Sequence, residues 1–228
     1  MFKHNLFPTL ITEHSFLKIE DIKTVFFNNA LNHCNKDGYS METTGNVDIH
    51  LDREFDILFD WVIKCVKDHM NCLNIQDNFD LNLVKTWFNI TRDFHTPNHT
   101  HADAHISFVY YVHLPKDYDK PIYFGNNHVN NELFYGMNNN NIKEWNELNT
   151  PTWYFIPKEG TLFVFPGKLS HWTAGHGSGA VDPGCHSIQD LTNRRCAIAG
   201  DILLTYKTNK LCKPYGIQPT MNWKTYNV

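Results

Sequence analysis

The sequence predicts a mainly β fold, a sandwich or barrel, with helices packed outside it. Three observations carry that expectation. Two stretches with helical apolar spacing lie between residues 19 and 73. From residue 83 onward the chain becomes a series of short runs rich in aromatic and β-branched residues. Pro, Gly, Asn and Asp punctuate those runs. Helices first and strands afterwards point to an α+β chain in which a β core is covered by helices. With 228 residues, 42% of them hydrophobic, the chain can bury a sizeable core as one domain. We expect a single domain over 1–228, helical in about 1–80, with its β core in about 81–210.

The elements follow in order. Residues 19–35 place Ile19, Ile22, Val25, Phe26 and Leu31 near helical spacing. Residues 52–73 make a stronger stripe of Phe55, Leu58, Trp61, Val62, Cys65, Val66 and Met70, with Asp52 where an N-cap belongs. Cys65 and Cys72 fit such a stripe better than a metal site. Strands are expected at 83–91, 105–114, 121–125, 152–157, 160–167 and 195–207. Two long connections separate some of them. Residues 125–150 are asparagine-heavy, and 174–194 hold four glycines together with His176 and His186. Connections of this length are commonly functional. The first, with Phe134, Tyr135 and Trp145, suggests a lid, although a compositional bias of the source genome explains its asparagines equally well.

The net charge of −4 and the scattered Lys and Arg residues give no nucleic-acid footprint. No run of eighteen apolar residues suggests a membrane span, and the first eight residues do not read as a signal peptide. Six dispersed cysteines without a CxxC pair read as reduced thiols, consistent with a cytoplasmic protein.

The chemistry concentrates in "NHTHADAHISFVYYVHLP", residues 98–115, where His99, His101, Asp103 and His105 precede an apolar run. In extended backbone, residues i and i+2 project to one side, so His101 and Asp103 could grip one metal ion. HxD alone is weak. It gains company in His171, which follows the strand "GTLFVFPG" and could supply a third ligand. Two imidazoles and a carboxylate on one face form the facial triad of non-haem Fe(II) oxygenases and leave positions open. Arg194 and Arg195 open the last long strand. A buried arginine needs an anionic partner, and a carboxylate matches its fork. Alternation sends one of the pair inward, and we expect Arg195 inward and Arg194 outward.

The ordered blocks Trp87-Phe88-Asn89, His99 to Tyr111, Phe165 to His171 and Arg195 to Ile202 resemble the 2-oxoglutarate/Fe(II)-dependent oxygenases. In particular they are similar to a branch common in marine phages and bacteria and related to prolyl hydroxylases. The resemblance spans most of the chain and is strongest from 87 to 205. It implies a double-stranded β-helix, or jelly roll, with His101, Asp103 and His171 as iron ligands. It also implies Arg195 and Tyr111 as holders of the distal carboxylate of 2-oxoglutarate. His99 rivals His101, but only His101 has a carboxylate at +2, so His99 is expected to hydrogen-bond a ligand and His105 to be packed. His176 and His186 rival His171, because 24 residues separate His171 from Arg195.

The function implied is an Fe(II)- and 2-oxoglutarate-dependent oxygenase, a hydroxylase coupling cosubstrate decarboxylation to C–H oxidation with O2. The substrate would be a small molecule or a prolyl-type peptide residue, with neither nucleic acid nor membrane as partner. The alternative is a cupin-like jelly roll that binds a metal or ligand without oxidation. Arg195 with Tyr111 discriminates, because a non-oxidising module needs no carboxylate clamp.

Overall fold

The computed structural model describes residues 8–16, 18–37, 48–91, 96–125, 142–146, 149–174, 187–207 and 224–226. Two helices come first, apart from a short strand β1 (Thr12–Ser15): α1 (Ile19–Asp37) and α2 (Asp56–Cys72). Asp52 caps as expected, accepting from the Glu54 N–H, but it caps a 3-10 turn that leads into α2. The α2 stripe is buried at Phe55, Leu58, Val62, Cys65, Val66 and Met70. Phe59 and Ile63 widen it beyond the stripe read from sequence.

The strands are β2 (Phe79–Thr91), β3 (Ile106–His113), β4 (Ile122–Gly125), β5 (Thr152–Phe155), β6 (Thr161–Pro166), β7 (Ser170–Thr173), β8 (Arg195–Tyr206) and β9 (Lys224–Tyr226), with a short helix α3 (Ile188–Thr192) before β8. They form a six-stranded antiparallel sheet, ordered β1-β6-β3-β8-β2-β9, and a three-stranded sheet, ordered β5-β4-β7. The sheets face one another as a jelly roll. Ile122 and Phe124 of the small sheet pack with Tyr111, Phe163, Phe165 and Ala197 of the large one. Strands β1, β7 and β9 were not expected from sequence. They are three or four residues long and lack an apolar run.

Alternation gives the large sheet two working faces. Phe108, Tyr110, Leu162, Val164, Ile198 and Ile202 pack toward α1 and α2, where Phe26 and Phe55 both meet Phe88. The opposite face carries Ser107, Val109 and Tyr111 on β3 and Ala197 and Ala199 on β8, beside the small sheet. Leu81 and Leu83 on β2 belong to the helix-side core, whereas Trp87 and Asn89 face the other way. The reason is a register shift between Leu83 and Lys85: one extra residue moves every later odd position to the inner face. Among the described residues, no helix is long and apolar enough to cross a membrane.

Candidate metal and cosubstrate site

The inner face opens into a cavity of about 280 Å³ between the two sheets. Three imidazoles meet at one end. One ring nitrogen from each of His99, His101 and His171 lies within 4.8 Å of the other two. Ring centroids are 4.2 Å apart for His99 and His171, 5.0 Å for His101 and His171, and 5.2 Å for His99 and His101.

Backbone pairing explains the gathering. Residues 96–99 run beside β7, joined to it by an isolated bridge between His99 and His171. His99 and His171 exchange both N–H···O bonds, at 3.0 and 3.1 Å, and the Thr173 N–H donates to the Thr96 carbonyl. His171 therefore sits within a strand rather than just past one. The His101 N–H donates to the Gly167 carbonyl at 2.7 Å, and the Gly167 N–H donates to the His105 carbonyl at 3.0 Å. A Cβ on Gly167 would come within 2.5 Å of the Ala104 carbonyl oxygen, so only glycine allows this approach.

Asp103 departs from the expectation. It is exposed on a turn closed by the Ala104 N–H and the His101 carbonyl, and it is not part of the imidazole cluster. His99 is bridged to His171 and the His101 N–H is bonded to Gly167, which brings His99 and His101 to the cluster, and a turn begins at residue 102, before Asp103. His99, expected to support a ligand, is a member of the cluster. His105 is exposed rather than packed, with its Nδ1 accepting from the Leu204 N–H. His176, His186 and most of the segment 125–150 fall outside the described residues. Trp145 is described and exposed.

Each ring of the cluster has Nδ1 already engaged. His99 Nδ1 meets the Pro97 carbonyl at 2.8 Å, His171 Nδ1 the Leu169 carbonyl at 2.9 Å, and His101 Nδ1 the Asp201 carboxylate at 2.5 Å. Those acceptors fix the Nδ1–H tautomer and leave three Nε2 lone pairs for a metal ion. Burial pushes His171 down to about 4. The Leu169 carbonyl acts against this, His99 and His101 reinforce it, and Asp201 opposes it. The ring is thus neutral at pH 7, the form that ligates.

The other end of the cavity is cationic. Arg195, 3% exposed, donates from an Nη to Asn89 Oδ1 at 2.9 Å, and its Nε is buried without a hydrogen-bond partner among the described residues. Tyr111 lines the same space. Burial pushes its phenol up, with Arg195 pulling the other way, so it keeps its proton and can donate to an anion. Arg194 was expected to face outward but is buried at 4%. Its N–H donates to the Leu191 carbonyl in the turn after α3, ahead of the strand, so strand alternation does not govern it. The donor set fits the expected groups: three neutral imidazoles suit Fe(II) among divalent ions, and an orphaned guanidinium N–H beside a phenol suits a carboxylate.

Residues 85–180 match the model of a family described as "Putative 2OG-Fe(II) oxygenase". No curated protein matches the chain. Among solved structures, the chain is similar to the non-heme alpha ketoglutarate dependent carbocyclase SnoK from nogalamycin biosynthesis. Identity is 10% and the TM-score 0.54, over 95% of this chain and 92% of that one. It is also similar to the epimerase SnoN of the same biosynthesis, at 8% identity and a TM-score of 0.53, over 95% and 91%. Likeness at such identities establishes the shared fold. The family match covers the strands and loops carrying His99, His101, Tyr111 and His171. The matched residues read as a 2-oxoglutarate/Fe(II)-dependent oxygenase, whose cofactors are Fe(II) and 2-oxoglutarate, and the imidazole cluster lies within them. Arg195 lies beyond the matched residues, so its role rests on the geometry.

Three further residues escaped the reading of the sequence as site residues. Ser107, Asn89 and Asp201 stood inside the quoted blocks but carried no role. A polar residue on the inner face of a strand that is otherwise small or apolar was the available signal.

Proposed function

We propose that the protein is a hydroxylase in which His99, His101 and His171 hold Fe(II), and Arg195 with Tyr111 holds the distal carboxylate of 2-oxoglutarate. The observation that carries this reading is the buried, unpartnered Arg195 Nε facing a cavity that also receives three imidazoles with their Nδ1 positions occupied. Fe(II) and 2-oxoglutarate, when bound, supply oxidative decarboxylation coupled to oxidation of a substrate C–H bond by O2. The chain's own residues orient and exclude. Asn89 aims the Arg195 fork, Tyr111 keeps a proton to donate, and Trp87, Val109 and Phe165 line the space with apolar surface.

A cavity of this size, once shared with the cosubstrate, admits a small molecule or one projecting side chain of prolyl type. A cytoplasmic setting agrees with Cys65 and Cys72, which form no disulfide among the described residues. The helices share one core with the large sheet, which supports reading 1–228 as a single domain.

Anaerobic titration of the metal-free protein with Fe(II), then 2-oxoglutarate, tests the reading. Cosubstrate binding should saturate at one equivalent and depend on the metal. On admitting O2, succinate should form and accelerate with a turned-over substrate. A protein that binds Fe(II) but never 2-oxoglutarate would be the cupin-like binding module instead.

A further inference from the structure

Asp201 sits on β8 opposite Ser107 of β3 and Lys85 of β2. It follows Arg195, Ala197 and Ala199 along the inner face, so alternation aims it at the metal end. It is 6% exposed. Its Oδ1 accepts from Ser107 Oγ at 2.8 Å and meets His101 Nδ1 at 2.5 Å, while Ser107 Oγ lies 3.0 Å from the same nitrogen. One carboxylate, one hydroxyl and one imidazole thus form a closed three-way contact, and that imidazole belongs to the cluster with His99 and His171.

We infer that Asp201 is the positioning carboxylate of the metal centre, supplying through His101 the negative charge that the sequence assigned to Asp103. The inference rests on the metal site proposed above. Three neutral imidazoles leave a bound dication with its full double charge. A carboxylate on the outer nitrogen of one ring fixes the tautomer and raises the basicity of the inner nitrogen. The arrangement also answers a question about Asp201 itself. A buried carboxylate is costly unless it is paired. Ser107 and the ring N–H satisfy one oxygen, and a dication across the ring supplies the compensating charge. Asp103, exposed on its turn, has no such connection.

The test is metal affinity of the metal-free protein, read anaerobically with Fe(II) and, separately, by the visible absorption of Co(II), with thermal melting of each variant. Asp201→Asn should raise both dissociation constants about ten- to a hundredfold and change the Co(II) spectrum. Ser107→Ala, which removes one hydrogen bond and keeps the carboxylate, should raise them about two- to tenfold. Asp103→Asn should leave affinity and spectrum as in the wild type. A purely structural Asp201 would lower the melting temperature while the folded variant bound metal normally, and that result overturns the inference. So does an Asp103→Asn loss as large as that of Asp201→Asn. Should Asp201→Asn not fold, unchanged affinity in Ser107→Ala overturns it. Wild-type protein that binds neither ion would overturn the metal-site reading itself, a different failure from wild-type binding that is indifferent to Asp201.

Discussion

The two ends of the cavity are built differently. At the cationic end, Arg195, Tyr111 and Asn89 stand on β8, β3 and β2, strands of 12, 8 and 13 residues paired to one another along most of their length. At the imidazole end, His99 and His101 stand on a segment outside the named strands, held to β7 and Gly167 by a few backbone hydrogen bonds. Period-two alternation holds wherever the backbone stays extended, and it fails at the residue where a turn begins. That is why the same rule places Arg195 and Tyr111 in the cavity and misplaces Asp103.

The cationic end offers the sharper break. Removing the Arg195 fork should weaken 2-oxoglutarate binding about ten- to a hundredfold, since hydrogen bonds to a charged partner contribute about 1.5–3 kcal/mol. Arg195→Ala should leave Fe(II) affinity intact, because none of its contacts reach the imidazoles. Arg194→Ala should lower the melting temperature instead, because that residue is buried outside the cavity. Anaerobic titrations and melting curves on both variants separate the cases. Equal loss of cosubstrate affinity in the two would mean that the strand does not start where the structure starts it.

The imidazole end should be sensitive to its backbone. Gly167→Ala places a Cβ within 2.5 Å of the Ala104 carbonyl oxygen and 2.9 Å of its carbon, contacts that cannot be relieved by a side-chain rotation. The turn carrying His101 must move. We expect a loss of about 1–3 kcal/mol in stability, the usual range for overpacking, together with weaker Fe(II) binding. Urea unfolding and metal titration measure the two effects. Unchanged metal binding with lowered stability would show that His101 is held by Asp201 rather than by the Gly167 hydrogen bond.

Much of the fold was legible in the sequence because its elements carry strong periodicity. The α2 stripe and the runs that became β3, β6 and β8 are long and apolar enough to declare themselves. Strands β1, β7 and β9 are short edge or small-sheet segments whose pairing is set by tertiary neighbours, so no local signal marks them. In the site, His101, His171 and Arg195 were singled out by residue type near strand ends, whereas Tyr111 came from the resemblance to the oxygenases, with alternation agreeing. Asp201 was hidden because its meaning depends on register. Only the pairing of β8 with β3 brings it opposite Ser107 and onto His101, 100 residues earlier in the chain.

The smallest expected effect tests whether the cationic end is prearranged. Asn89 Oδ1 accepts from an Arg195 Nη at 2.9 Å, and the register sets Asn89 opposite Ala197, two residues along from Arg195 toward the metal end. The guanidinium therefore leans along β8 toward the imidazoles, and Asn89 holds it there. Asn89→Ala keeps the charge but removes the hydrogen bond that aims it. A hydrogen bond of this kind contributes about 0.5–1.5 kcal/mol net, so 2-oxoglutarate affinity should fall about two- to tenfold, well short of Arg195→Ala, with Fe(II) affinity unchanged. The double variant should weaken binding no further than Arg195→Ala alone, because Asn89 acts only through the arginine. Additive losses, measured by the same anaerobic titration, would instead mean that Asn89 touches the cosubstrate directly.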